Sequence, residues 1–184
     1  MRTAILIAAL AACSGSGVDP AQSTVELDRT IAVVGDDQVT VTITVRDSSG
    51  APLSDVGVSA TVTGSGDIGP PPLIPADDAG AALDTTDATG VTLAYWSGTL
   101  AGPQTVNVIA DGVALGTATV SFEARQAERW DFTVQPTDVV AGQPFSPTVP
   151  VAAFDQYGNV TTDTPPVPPT IELGTNPTGA TLQT

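Results

Sequence analysis

Histidine and lysine are absent from this 184-residue sequence, and cysteine occurs once, at Cys13. Without histidine, the sequence excludes serine or cysteine nucleophiles that a histidine activates, histidine general bases and His/Cys zinc sites. Aromatic residues make up only 4% of the chain, so few rings are available to line a sugar-binding site. This disfavours a glycosidase that works with a pair of carboxylates. The sequence therefore predicts a protein without catalytic activity and without a cofactor.

Positive charge is also scarce. Five arginines stand against 20 acidic residues, so the formal net charge is −15 and the isoelectric point is about 4.1. Nucleic acids and anionic membrane surfaces are bound through basic side chains that displace counterions. We therefore expect no nucleic-acid partner and no membrane contact made through charge.

The residues that are abundant favour β-structure. Threonine (27) and valine (22) outnumber leucine (11), and aspartate (16) outnumbers glutamate (4). β-branched side chains pack well on a pleated surface, and aspartate competes for backbone hydrogen bonds in turns. Glycine (18) and proline (16) suit many tight turns between short strands. The composition predicts an all-β fold.

The first residues have the pattern of an export signal. Met1-Arg2 gives a positive start, and residues 3–12 form an uncharged, mainly apolar run that is too short to span a bilayer, which takes about 20 residues as a helix. The run ends in Leu10-Ala11-Ala12-Cys13, which resembles the lipobox of bacterial lipoproteins. The resemblance implies cleavage before Cys13, acylation of Cys13 and attachment to a membrane through this N-terminal lipid anchor. An ordinary secretory signal cut near Ala12 or Gly17 is the alternative.

The segment after the signal is small and polar. Ser14-Gly15-Ser16-Gly17 is typical of a flexible leader, so we assign residues 1–12 to a signal peptide and residues 13–21 to a leader. In the bacterial lipoprotein family, serine directly after the lipidated cysteine implies sorting to the outer membrane. The expected location is the cell envelope, at the outer membrane or the cell surface.

An alternation of apolar and polar residues follows the leader. Val39, Val41, Ile43 and Val45 alternate with threonines, which predicts a strand with one buried face. The turn signal of residues 47–52 then separates this strand from the next alternation. Further strands are predicted in the same way, giving six or seven in all, at 24–27, 39–45, 56–62, 91–96, 105–110 and 114–123.

Three segments in a fixed order resemble a known family. Residues 45–53 contain D-x-x-G-x-P, residues 85–92 contain T-x-D-x-x-G-V, and residues 101–106 contain A-G. Together they resemble the bacterial Ig-like domain of the invasin/intimin type (group 1). The resemblance implies an immunoglobulin-like β-sandwich over residues 22–125. The long loop at 63–80 departs from the pattern, and the middle strand is left unassigned there.

The start of this unit is repeated. Asp155-Gln156-Tyr157-Gly158 has the same D-x-x-G pattern 108 residues after Asp47, about the length of one Ig-like domain. We expect a linker at 126–129 and a partial second Ig-like domain at 130–184, because no counterpart of the second T-x-D-x-x-G follows it. The prediction is tandem Ig-like modules of which the second is incomplete.

Aspartates are the candidate ligands of a metal ion. Asp36, Asp37, Asp77 and Asp78 could offer oxygen ligands for weak Ca²⁺ binding, although the D-x-[DN]-x-[DN]-G run of an EF-hand is absent. The alternative, which we favour, is that these acids hold turns and keep a surface protein soluble. A built metal site is therefore not predicted.

Three further residues have both a structural and a functional interpretation. Trp96 and Trp130 are expected to pack in a core or between modules rather than against a ligand. Asn159 begins an Asn-Val-Thr triplet that matches the glycosylation motif, but it is expected to hold a turn.

The sequence as a whole predicts a lipid-anchored envelope protein that acts as a spacer or adhesion element. A protein or glycan ligand would bind at the end loops of a module, if one is bound. The alternative function is the N-terminal stalk of a longer protein whose enzymatic or substrate-binding domain lies beyond Thr184.

Overall fold

The computed structural model describes residues 17–64, 66–70, 80–135, 143, 148–163 and 167–170. The chain divides into two compact units, Met1–Ala124 (unit 1) and Arg125–Thr184 (unit 2). All regular structure in the described ranges is β-strand, which confirms the all-β prediction. A search of the same residues found no helix long and apolar enough to cross a membrane.

In the described part of unit 1, nine strands form two sheets. The first sheet has four strands in the order β1-β3-β7-β5, and the second has five in the order β2-β9-β8-β4-β6. All pairings are antiparallel except that of β2 with β9. The strands are β1 Thr24–Leu27, β2 Ile31–Val33, β3 Val39–Thr44, β4 Val58–Val62, β5 Gly66–Gly69, β6 Gly80–Ala82, β7 Val91–Gly98, β8 Gly102–Ala110 and β9 Val113–Glu123.

The core of unit 1 is built by the alternation that the sequence shows. Val39, Val41, Ile43 and Val45 are all fully buried, at 0% exposed. The intervening threonines of β3 lie half-buried on the outer face of the sheet. The predicted inward face of this strand is therefore confirmed.

Trp96 and Phe122 join the two sheets across this core. Trp96 is 0% exposed and Phe122 is 2% exposed. Their rings meet edge to face, with centroids 5.5 Å apart and planes at 70°, a geometry that aromatic pairs favour. The prediction that Trp96 is a core residue is confirmed.

Three strands of unit 1 were not predicted. β5 and the first residue of β6, Gly80, lie inside the segment 63–80 that the sequence indicated as a loop, and β2 also lacks a predicted counterpart. β5 has the sequence Gly-Asp-Ile-Gly, so it shows no apolar alternation. At Gly66, a Cβ atom would lie 2.5 Å from the carbonyl oxygen of Ser97, so a side chain there would clash with the neighbouring backbone. Close backbone approach, rather than side-chain pattern, forms this edge strand.

The first two strands of unit 1, β1 and β2, follow each other closely and together form an N-terminal strand that passes from one sheet to the other. β1 pairs with β3 in one sheet, and β2 pairs in parallel with β9 in the other. The amide of Asp28 donates to the carbonyl oxygen of Thr40 at 3.0 Å, and that of Ser121 donates to Thr30 at 2.9 Å. These two bonds hold the crossing segment between the sheets.

The chain enters and leaves unit 1 at opposite ends. Val18 is 7% exposed and the amide of Asp19 donates to the carbonyl oxygen of Arg46 at 2.8 Å, so part of the expected leader 13–21 belongs to the unit. β1 and β9 both run from this end to the other, because Thr24 pairs with Thr44 while β2 runs parallel to β9. The chain therefore leaves at Glu123, at the far end of the sandwich.

Unit 2 contains a three-stranded antiparallel sheet in the order β10-β11-β12. Its strands are β10 Arg129–Phe132, β11 Val151–Phe154 and β12 Val160–Thr161. The segment expected as a linker at 126–129 is structured here. Ala127 is 4% exposed, the amide of Glu128 donates to the carbonyl oxygen of Phe154 at 2.8 Å, and Arg129 begins β10.

Candidate functional site

One hydrogen-bonded turn occurs three times, at residues 47–51, 87–91 and 155–159. In each turn the first residue, an aspartate, donates its amide to the carbonyl oxygen of the fifth residue at 2.9–3.0 Å. The glycine at the fourth position donates back to the aspartate carbonyl at 2.9–3.1 Å and has φ of +75° to +86°. Glycine is required there because a side chain is disfavoured at positive φ.

The aspartate side chain closes each turn. Its Oδ1 accepts the amides of the third and fifth residues at 2.8–3.0 Å. In the first two turns, the hydroxyls of Ser49 and Thr89 also donate to Oδ1 at 2.7 Å. The D-x-x-G pattern is thus the sequence of a turn in which Oδ1 of the aspartate accepts hydrogen bonds from local donors.

These bonds favour the ionised carboxylate. The pKa of Asp47 is lowered chiefly by the Ser49 hydroxyl, and the pKa of Asp87 chiefly by the Thr89 hydroxyl, with the amides of each turn adding to the effect. Burial acts to raise the pKa of Asp155, but hydrogen bonds from Asn159, Arg125 and Tyr157 outweigh it and leave that pKa lowered as well. All three turns are therefore held by charged carboxylates at neutral pH.

The first two turns lie side by side at one end of unit 1. Thr44 pairs with Val91, and the amide of Val45 donates to the carbonyl oxygen of Gly90 at 2.7 Å. The β8–β9 hairpin turn reaches the same end, since the amide of Asp111 donates to Gly57 at 2.8 Å. We call this end of unit 1 the acidic end; its loops carry Asp19, Asp47, Asp55, Asp84, Asp87 and Asp111.

Of the four predicted calcium ligands, the structure describes Asp36 and Asp37. In Asp37, Oδ2 accepts the amide of Val33 at 2.8 Å and Oδ1 accepts Nη1 of Arg29 at 3.0 Å, so its carboxylate already serves protein donors. No group of three or more acidic, histidine or cysteine side chains in the described part of the chain could hold a metal ion. Asp77 and Asp78 lie outside the described residues, as does Cys13.

The two remaining candidate residues, Trp130 and Asn159, lie in unit 2. Trp130 is half-buried, and its Nε1 donates to the carbonyl oxygen of Val167 at 3.0 Å. An open pocket of about 140 Å³ lies beside it, lined by Trp130, Asp131, Phe132, Val151, Pro169 and Thr170. Asn159 is 6% exposed and donates Nδ2 to both oxygens of Asp155, which confirms that it holds the turn.

Sequence reasoning missed the special position of Asp155. It is 0% exposed, and its Oδ2 accepts the amide of Arg125 at 3.1 Å, outside its own turn. The third turn differs from the others by an asparagine at its fifth position, where the first two have Ala51 and Val91. That difference is the signal in the sequence that could have singled out Asp155.

Solved structures show which fold this is. Invasin, described as a bacterial integrin-binding protein, is 23% identical over 79% of this chain and 28% of invasin, with a TM-score of 0.52. The Escherichia coli adhesin FdeC is 19% identical over 79% of this chain and 44% of its own, with a TM-score of 0.52. The Yersinia pseudotuberculosis adhesin InvE is 24% identical over 81% of this chain and 39% of its own, with a TM-score of 0.51.

This likeness confirms the fold class. The chain has the Ig-like β-sandwich fold of invasin/intimin-type domains, in tandem units, as the ordered motifs predicted. It spans between 28% and 44% of the length of the three proteins. Neither a protein-family model nor a curated protein matches the chain.

Proposed function

We propose that this chain is a lipid-anchored cell-envelope protein whose Ig-like units act as a spacer or adhesion element, without catalysis. The observation that carries the proposal is the opposite placement of the two chain ends of unit 1, at Val18 and at Glu123. A unit that the chain crosses from end to end adds its full length to a stack. β9 has 11 residues, so one unit adds about 35 Å at about 3.2 Å per residue.

The anchor in this proposal is Cys13. Only three residues separate it from Gly17, the first described residue, and the acidic end then follows directly. Anionic headgroups give a membrane surface a negative potential. The carboxylates of the acidic end carry the same sign, which favours a unit that stands off the surface over one that lies on it.

An adhesive ligand would then be met by loops remote from the anchor. The proteins of similar fold are named adhesins or, for invasin, an integrin-binding protein. Those names support an adhesion role, with a protein or a glycan as the ligand class. The outer membrane or the cell surface is the location we propose.

Acylation is tested by replacing Cys13. Wild-type protein is expected in the detergent phase with an acyl mass on its N-terminal peptide, and Cys13→Ala is expected in the aqueous phase without it. Equal membrane retention of both proteins would contradict the lipid anchor.

The spacer role is tested by length. A fluorophore attached after Thr184 is placed on wild type and on a variant that lacks residues 18–124, both lipidated in vesicles with a quencher in the headgroup layer. The deletion should bring the fluorophore about 35 Å closer to the membrane. An unchanged distance would overturn the spacer role even if acylation is found.

A second candidate function is the stalk of a longer protein that carries an enzymatic or substrate-binding domain beyond Thr184. The observation that favours it is the greater length of the similar solved proteins, of which this chain spans less than half. Sequencing the gene downstream of codon 184 separates this candidate from the first.

A further inference from the structure

Among the residues the structure describes, Asp155 is the acidic residue with no exposed surface. Four N–H groups surround its carboxylate. Oδ1 accepts the amides of Tyr157 at 2.9 Å and Asn159 at 2.8 Å, and Oδ2 accepts Nδ2 of Asn159 at 3.0 Å and the amide of Arg125 at 3.1 Å. A buried charge needs such donors, because an unpaired one loses its hydration without replacement.

The bond to Arg125 is the contact that the other two turns do not have. Asp47 and Asp87 close the same turn through Oδ1, although Asp47 is only half-buried and Asp87 is exposed. Burial of the aspartate and a bond from Oδ2 to a distant amide are therefore not needed to form this turn. Both are additional features of the third turn. The bond joins two residues that are 30 positions apart in the chain.

Arg125 is the first residue of unit 2. Two positions earlier, the carbonyl oxygen of Glu123 accepts the amide of Val34 at 3.0 Å, which fixes the end of β9 in unit 1. After Arg125 the backbone is held again, by the bond from Glu128 to Phe154 and by the pairing of Arg129 with Phe154. One residue, Ala124, separates the last anchored carbonyl of unit 1 from the first anchored amide of unit 2.

We propose that Asp155 is a positioning residue that fixes the first segment of unit 2, residues 125–129, onto its own turn and so reduces the free connection between the units to Ala124. In a chain of repeated units, this bond makes the connecting segment 125–129 part of the folded unit. We call it the lock. A short connection between the units would serve the proposed spacer role, and the biological purpose of the lock rests on that proposed function. Its test reads backbone protection and needs no membrane or ligand, so the two can fail separately.

The matched variants are Asp155→Asn and Asp47→Asn in the full chain. Asparagine keeps an Oδ1 acceptor for the turn amides, but its Nδ2 is a donor and cannot accept the amide of Arg125. Amide hydrogen exchange is measured at Arg125, at Glu128 and along β11. Asp155→Asn should raise exchange at Arg125 by about tenfold or more, the usual effect of losing a bond to a charged group. Asp47→Asn should leave it unchanged.

Equal exchange at Arg125 in the two variants would overturn the proposal, and so would a wild-type Arg125 amide that exchanges as fast as one in an unstructured peptide. If Asp155→Asn raises exchange throughout β11 as well, Arg125→Pro decides, because it removes the donor and leaves Asp155 in place. Faster exchange at Glu128 with protection kept at Asn159 supports the lock. Unchanged exchange at Glu128 in Arg125→Pro overturns it.

Discussion

Gly90 and Val45 are in direct backbone contact. The amide of Val45 donates to the carbonyl oxygen of Gly90 at 2.7 Å, and a Cβ atom on Gly90 would lie 2.6 Å from the carbonyl oxygen of Val45. Gly50 holds the same place in the neighbouring turn at φ +85°, yet the nearest atom to its Cβ position is 3.7 Å away. The two glycines thus share a conformation and differ in crowding.

Replacing each glycine by alanine should separate the cost of positive φ from the cost of a steric clash. Gly50→Ala should lower the free energy of unfolding by about 1 to 2 kcal/mol, because a side chain is disfavoured at positive φ. Gly90→Ala should lose about 1 to 3 kcal/mol more, because Val45 and Leu53 must move. Urea unfolding measures both, and equal losses would show that the contact at Gly90 relaxes freely.

Acid should weaken the protein through its three turns. Each turn aspartate has a pKa below its ordinary value in the folded state. Its stabilisation is therefore complete above the unfolded pKa of about 3.9 and is lost as the pH falls through the lower folded pKa. The free energy of unfolding, measured by urea titration from pH 6 to pH 2, should fall below pH 4.

The control for the acid prediction replaces Asp47, Asp87 and Asp155 together by asparagine. Asparagine keeps an acceptor in each turn but does not titrate. The triple variant should be less stable than wild type at pH 6, and the difference should narrow toward pH 2. A constant difference over this range would rule out the turns as the source of acid sensitivity.

The aromatic pair should dominate the stability of unit 1. Phe122→Ala removes the ring that packs edge to face with Trp96 and should lower the free energy of unfolding by about 3 to 5 kcal/mol. Leu93→Ala, on the outer face at 37% exposed, is the control and should lose about 1 kcal/mol or less. Denaturation followed by tryptophan fluorescence measures both, and similar losses would contradict the core assignment.

Calcium should have little effect on stability. The oxygens of Asp37 are bonded to Val33 and Arg29, so a cation would have to displace protein donors. Weak sites of extracellular modules bind at about 10⁻⁴ to 10⁻³ M. Melting with 2 mM Ca²⁺ and with EDTA should therefore give transitions within a few degrees of each other. A large shift at micromolar Ca²⁺ would reveal a site built from other residues.

The strands that alternate cleanly could be predicted from the sequence. β1 was predicted at its observed bounds, and β3, β4, β7, β8 and β9 within a few residues. β5 could not be predicted, since two of its four residues are glycines, and one of them, Gly66, lies there because the backbones approach closely. β2 is three residues long and pairs with β9, about 90 residues later in the chain, and local patterns carry no information on such a partner.

The candidate site was predictable only in part. D-x-x-G marked all three turns, because the aspartate and the glycine are both needed to form one. The burial of Asp155 and its bond to Arg125 depend on where a distant segment returns, which the local motif does not encode. The roles of Cys13, Asp77 and Asp78 stay predictions from the sequence.

The parallel pairing of β2 with β9 determines how unit 1 responds to tension. A pull on its two chain ends draws the N-terminal strand toward the acidic end and β9 toward the other end, along the strand direction. The bonds from Ser121 to Thr30 and from Val34 to Glu123 are then loaded in shear, side by side. They must break together rather than one after another, so the pairing acts as a mechanical clamp between the two points where force enters the unit.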